Sequence, residues 1–438
     1  MQLSLRYDRT SASMLESRQE ALPGFPELLP AIVAPAEQGL IETQLLSPRL
    51  GASYMLDESG RTIARVSYGL FGTQIGSGTV QSFSAASQAL LVYSAIDRNR
   101  NNIADPGELV ELSTFAGVDP DNPASGVNCN RVDPDLRAPR THELVVGLDR
   151  ELLPQLGVGA SFTWRRINDV IWSSSDLVSG LSVYPLAGIT RDDYEIEGVV
   201  SGTAPGLGSY SREFYAPIES RLPPGNGVEF RNHPDYHQSF LGFEVQATKR
   251  LSNRWMGRVA FSTNSHTEHF DGPAIQDPGA TTTWPNIEGG AYITPTTGSG
   301  KSEIYLMLPR YQLAASGLYQ LPYGINLGAN VMFREGYGKP YFETVDSADP
   351  TLPEKRVLLV DPRDERLEAV KSLDFRVEKA FGVRTGELSL TADIFNVFNT
   401  STVLGRQYDV TATGTTGFDR PLEIMNPRLL RFGVRFQF

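Results

Sequence analysis

Twelve segments of this chain alternate apolar residues with small or polar ones at a period of two, and this rhythm constrains the fold most. They fall near 2–9, 46–56, 60–71, 141–151, 155–167, 237–251, 253–265, 308–321, 323–335, 369–381, 384–398 and 427–438. Successive side chains of a strand point to opposite sides, so each segment predicts a strand with one apolar face. In 155–167 the apolar set is Val158, Ala160, Phe162 and Trp164, against Gly159, Ser161, Thr163 and Arg165. In 237–251 it is Leu241, Phe243, Val245 and Ala247, against Gly242, Glu244, Gln246 and Thr248. The run from Leu430 to Phe438 alternates without a break and puts Arg431 and Arg435 on its polar side.

The connections alternate in length. Short ones fall at 57–60, 152–154, 252, 322 and 382–383, long ones near 10–45, 72–140, 168–236, 266–307, 336–368 and 399–426. The sequence presents the long ones as loops without structure of their own, including the Ser/Gly/Pro stretches 201–211 and 223–227. Short turns at one end and long loops at the other are the asymmetry of a membrane barrel, whose strands turn one side to lipid and the other to a wet lumen. The predicted fold class is therefore all-β: an antiparallel up-and-down transmembrane β-barrel portion of about twelve strands, with long extracellular loops and short periplasmic turns. A soluble sandwich with an apolar edge strand is the competing fold. Tyr7, Tyr54, Tyr68, Trp164, Trp255, Tyr311, Tyr319 and Phe438, near strand ends, suit interfacial girdles.

Composition excludes some classes. A net charge of −12 over 438 residues argues against nucleic acid as a partner. No run of about 18 apolar residues exists, so no transmembrane helix is predicted. The single cysteine, Cys129, has no partner for a disulfide within the chain. The first residues, Met1-Gln2-Leu3-Ser4-Leu5-Arg6-Tyr7, alternate at once and lack the pattern of a secretory signal. The expectation is a chain that begins in mid-barrel.

Particular residues resemble a family. Leu46–Tyr54 followed by Gly60–Gly69 resembles a mid-barrel hairpin of TonB-dependent outer-membrane receptors, as do Lys249–Trp255 and Asp393-Ile394-Phe395-Asn396-Val397-Phe398-Asn399. The nearest group is the Oar-like, carboxypeptidase-regulatory-domain-containing receptors. The resemblance implies a barrel of about 22 strands with an N-terminal plug. It also implies energised uptake through the TonB system, insertion by the barrel assembly machinery, contact with outer-membrane lipid and an unknown extracellular ligand. On that comparison, residues 1–438 correspond to the C-terminal part of the barrel, with the plug and N-terminal strands absent. Localisation would be the Gram-negative outer membrane.

One constellation carries chemistry of its own. Asp97, Asn99, Asn101, Asp105 and Glu108 stand at positions 1, 3, 5, 9 and 12 of a loop, with the Ile103 carbonyl at position 7. That is the ligand spacing of an EF-hand calcium loop, closed by a bidentate carboxylate. Position 6 normally needs a left-handed backbone, and Asn102 is the best substitute there for glycine. Arg98 and Arg100 reduce the local negative charge, so the expected cofactor is Ca2+ held weakly, against the alternative of an Asn/Asp-rich surface turn. His266-Thr267-Glu268-His269 lacks metal-site spacing and is taken as a surface segment. No nucleophile elbow or catalytic set emerges. The chain is therefore read as a receptor or transporter fragment rather than an enzyme. The alternative is a non-transporting display or adhesion barrel, and a third reading is a soluble carbohydrate-active β-protein.

Overall fold

The computed structural model describes residues 1–75, 77–81, 83–84, 86, 89–116, 119–125, 131–173, 192, 194–218, 229–232, 236–270, 291–292, 309–345, 354–362, 364–384 and 386–438. Cys129 and the stretch 223–227 lie outside these residues. Twelve strands form one antiparallel meander in chain order. They are β1 (Gln2–Met14), β2 (Glu37–Met55), β3 (Thr62–Gly72), β4 (Arg140–Leu153), β5 (Leu156–Asn168) and β6 (Tyr236–Ser252). There follow β7 (Trp255–Phe270), β8 (Tyr311–Leu321), β9 (Ile325–Arg334), β10 (Val370–Val383), β11 (Gly386–Phe395) and β12 (Leu429–Gln437). All twelve expected segments are strands, and the expected all-β, up-and-down class is the one observed. The shortest, β12, has 9 residues, enough to cross a hydrocarbon core when tilted.

The register carries the alternation across the sheet. Ala52, Val66, Val146, Phe162 and Phe243 lie directly opposite one another over β2 to β6. One residue along, Ser53, Arg65, Gly147, Ser161 and Glu244 form the matching row of the other face. The first row stays uncovered: Val146 is 44% exposed, Phe162 40% and Phe243 43%. Burying such a side chain is worth about 1.5–3 kcal/mol, so a face of this extent left in water would be strongly unfavourable. Among the described residues no helix is long and apolar enough to cross a membrane, and the α-helix Ser77–Gln81 has 5 residues.

The turns explain the hairpin registers. Asn253 (φ 51°) and Arg254 (φ 67°) form a two-residue connection between β6 and β7, with both central residues left-handed, the geometry that matches strand twist. In the β2–β3 turn, Asp57 accepts from the Ser59 hydroxyl and the Arg61 amide, both at 2.8 Å. Hydrogen bonds from Thr62, Ser59 and Arg61 hold this carboxyl down to about 2.

The long connections depart from expectation. The sequence presents them as structureless, yet most contain paired strands. Tyr194–Ala204 pairs with Gly208–Pro217, which places 201–211 in a hairpin rather than a loop. Leu90–Ala95 pairs with Leu109–Ala116, Phe342–Val345 with Lys355–Leu358, and Val403–Arg406 with Pro421–Ile424. Apolar clusters support them. Met14, Ile41, Val80, Phe83 and Leu136 form one, Val200, Phe214, Val357 and Leu359 a second, and Leu29 with Ile32 a smaller third. Tyr341, Phe342 and Tyr408 extend the second with Leu207 and Val360. All six long connections leave the same end of the sheet, and the short turns lie at the other.

Candidate functional site

The twelve-residue loop 97–108 sits at the tip of the hairpin Leu90–Ala95/Leu109–Ala116. It is curled, and the side chains of Asp97, Asn99, Asn101, Asp105 and Glu108 hydrogen-bond within it, while Ile103 is exposed. Asp97 accepts the Asn101 amide on Oδ1 at 3.2 Å and the Asn102 amide on Oδ2 at 2.9 Å. The Oδ1 atoms of Asn99 and Asn101 accept the Asn101 and Ile103 amides at 3.0 and 2.8 Å. Asp105 Oδ2 receives both asparagine Nδ2 groups, at 2.7 and 2.8 Å. Asn102 takes the left-handed backbone expected at position 6, with φ 58°.

Glu108 is buried, 7% exposed. Its Oε1 accepts the Arg98 amide at 2.9 Å and its Oε2 the Asp105 amide at 3.1 Å. The loop therefore keeps its curl through side-chain oxygens that satisfy backbone N–H groups, as Asx-type turns do. The donor chemistry fits a hard cation of calcium's kind, which takes carboxylate, amide and carbonyl oxygens together. Among the described residues no three His, Cys, Asp or Glu side chains are grouped so as to hold a metal. The loop's donor set depends on Asn99, Asn101 and the Ile103 carbonyl as much as on its three carboxylates.

A second feature lies on the polar face of the sheet near the loop end. Arg49, Gly69, Glu143, Arg165, Phe240 and His266 stand opposite one another over β2 to β7. Arg165 Nε donates to Glu143 Oε2 at 2.5 Å, and its guanidinium lies 5.1 Å from the Phe240 ring centre. Phe240 meets His266 edge-on at 6.0 Å. The Phe71 ring lies over Gly69, within 2.7 Å of where a Cβ would stand. Arg49 in turn stacks over Phe71 at 4.7 Å. The row alternates cations, an anion and aromatic rings, a surface suited to polar ligands with flat or anionic parts. Toward the short-turn end, a cleft of about 480 Å3 opens beside Arg65, Asp149, Glu244 and Gln246.

The segment 266–269 divides between faces. His266 and Glu268 pair in register with Phe240 and Gln238 on the polar side, and Thr267 and His269 pair with Ser239 and His237 on the apolar side. Strand geometry thus separates the two imidazoles and forbids a shared metal.

Two polar centres depend on partners far along the sequence. Glu335, just beyond β9, receives the Arg310 backbone amide at 2.7 Å and its guanidinium at 2.6 Å, with Arg366 at 3.1 Å. Burial opposes ionisation of this carboxyl, but the Arg310 hydrogen bonds and the Arg366 charge outweigh it and hold it below the usual range. Asn396, at φ 50° and 4% exposed, donates to the Thr400 and Asn426 carbonyls at 2.9 and 2.8 Å and accepts the Thr400 amide at 3.0 Å. Its own amide donates to Asp374 at 3.0 Å.

No protein-family model and no curated protein matches the sequence. Among solved structures, the chain is similar to the outer membrane transporter YddB from Escherichia coli, at 11% identity and a TM-score of 0.47, over 93% of this chain and 42% of that one. It is similar to the FrpB iron transporter from Neisseria meningitidis at 11% identity and a TM-score of 0.42, over 99% of this chain and 42% of that one. The ferripyoverdine receptor of the outer membrane of Pseudomonas aeruginosa gives 12% identity and a TM-score of 0.44, over 93% and 35%. The chain thus spans less than half the length of each of these structures.

Proposed function

We propose that this chain forms part of the wall of a Gram-negative outer-membrane β-barrel of the TonB-dependent receptor type, which takes up an extracellular ligand. The observation that carries the reading is the uncovered apolar face of a twelve-strand meander, set against a polar face with cross-strand ion pairs. Lipid on one side and water on the other satisfy both faces at once. Concentration of every long connection at one end supports an extracellular loop layer. The row from Arg49 to His266 lies next to that layer and is the natural first contact for a ligand entering the lumen. The receptor type and its Oar-like subgroup rest on the sequence resemblance alone. Coupling to the TonB system and insertion by the barrel assembly machinery are part of the same proposal.

The test is fractionation. Expressed behind a secretory signal in a Gram-negative host, the chain should sediment with outer membranes and run with heat-modifiable mobility on gels. Recovery as a detergent-free soluble protein would contradict the reading.

Two further points belong to the proposal. Display of the loops, without transport, is favoured by the apolar cores within them, because each core fixes a loop surface. Ligand uptake by the intact receptor separates the two roles. We also propose that loop 97–108 binds Ca2+ through Asp97, Asn99, Asn101, Asp105, Glu108 and the Ile103 carbonyl, as a clip on the hairpin tip. The hydrogen bonds that join Asp97, Asn99, Asn101 and Asp105 within a curled loop support this.

A further inference from the structure

The apolar face ends abruptly toward the loops. On β4 to β6 its last apolar row runs through Leu144, Trp164 and Leu241. The next row loopward on the same face is His142, Arg166, Ser239 and Thr267 over β4 to β7. Beyond it His237 and His269 lie opposite each other, with rings stacked at 4.7 Å. Apolar surface therefore gives way within one row to a patch of hydrogen-bond donors.

The patch is ordered by its own contacts. His269 Nε2 lies 2.9 Å from both the Ser239 and Thr267 hydroxyls, which are 2.9 Å from each other. His142 Nδ1 lies 2.7 Å from the Tyr68 hydroxyl. Arg166 is exposed, and its Nε donates to Asn168 at 3.1 Å. Among the described residues no carboxylate forms an ion pair with Arg166. The nearby acid, Asp169, is taken by Arg140 at 2.5 Å.

We infer that this patch binds the phosphate of a membrane lipid in the leaflet nearest the loops. Arg166 and one hydroxyl of the Ser239–Thr267 pair, the other being spent within the His269 contacts, serve as donors, and the acyl chains lie along Trp164, Leu241 and Phe243. The ligand must be amphipathic, because the donors and the apolar band are continuous on one face. It must be anionic, because the one uncompensated formal charge in the patch is the Arg166 guanidinium, which suits phosphate oxygens in bidentate fashion. The inference rests on the membrane-wall reading given above.

The test uses the full chain with Trp164 as its sole tryptophan, inserted into phosphatidylcholine vesicles. A minor fraction of lipid brominated on its acyl chains is added, either as phosphatidic acid or as phosphatidylcholine. Brominated phosphatidic acid should quench Trp164 more strongly at equal fraction. Arg166→Gln should weaken that preference about tenfold, the size of one lost charge-assisted pair. A Ser239→Ala/Thr267→Val variant should also weaken it while keeping the arginine, which covers poor folding of the first. Insertion is read separately from heat-modifiable mobility. Insertion with equal quenching by the two lipids, or an unchanged preference in both variants, would overturn the inference alone. Failure to insert into any vesicle would overturn it together with the membrane reading.

Discussion

Asp393 of β11 holds the Arg376 guanidinium of β10 on both carboxylate oxygens, at 2.5 Å to Nε and 3.2 Å to Nη2. The two residues are directly opposite in register. Arg431 of β12 joins from the other side, with Nε 2.9 Å from Asp393 Oδ2. One buried carboxylate therefore ties three successive strands on the polar face, where the alternation of the last strand predicts Arg431.

Asp393→Asn should destabilise the sheet by about 1–2 kcal/mol, less than the full cost of opening a buried pair, because both arginines are about half exposed. Denaturant titration in micelles measures it. The double variant with Arg376→Gln should cost less than the sum of the singles, since the pair acts as a unit.

Asn396→Ala should cost about 2 kcal/mol, because two carbonyls and the Thr400 amide lose a buried partner. Asn396→Gly, which tolerates φ 50° but lacks the amide, should cost nearly as much. Hydrogen exchange should quicken around Thr400 and Asn426 and stay slow in β4 to β7.

Tyr210 ties the hairpin Tyr194–Pro217 to Phe342–Val345 by donating its hydroxyl proton to Glu343 at 2.8 Å. Burial first, then this hydrogen bond and the Glu343 charge, push the phenol up to about 12. The raised value means that the folded state keeps the proton after an unfolded chain would lose it. The contribution is thus complete below the ordinary value of 10.0 and is lost as pH rises through about 12. An alkaline titration followed by tyrosinate absorption should show a late phase, and Tyr210→Phe should lower its amplitude, the buried Tyr341 and Tyr408 phenols also titrating late.

Calcium should bind the full chain weakly, in the range of extracellular modules, and Glu108→Gln should lower affinity on the order of tenfold by removing part of a bidentate ligand. Calorimetric titration is the measurement. Without calcium, Glu108→Ala should still loosen the hairpin Leu90–Ala116, since Glu108 accepts the Arg98 and Asp105 amides.

The wall was legible because its signal is local. Side-chain alternation in Val158–Trp164 or Leu241–Ala247 is set by backbone geometry, and the register followed from keeping apolar residues on one face. The curl of loop 97–108 was legible for the same reason, its turn-forming groups lying within twelve consecutive residues. The loop hairpins were not. Val200 meets Val357 only because two distant connections pack together, and the Gly/Ser content of 201–211 hid a strand pair. Asn396 and Glu335 gain their roles from Asn426 and Arg366, partners that no spacing in the sequence announces.

The central claim is that alternate residues of one strand meet lipid and water. Single cysteines placed in turn at Leu241, Gly242, Phe243, Glu244, Val245 and Gln246, in a chain with Cys129 replaced by serine, test it most directly. With the protein inserted in vesicles and each cysteine labelled with a fluorophore, the account predicts a period of two. Labels at 241, 243 and 245 are quenched by a lipid-borne quencher, and those at 242, 244 and 246 by an aqueous one. Uniform quenching by the aqueous agent, or no alternation along the strand, would contradict it.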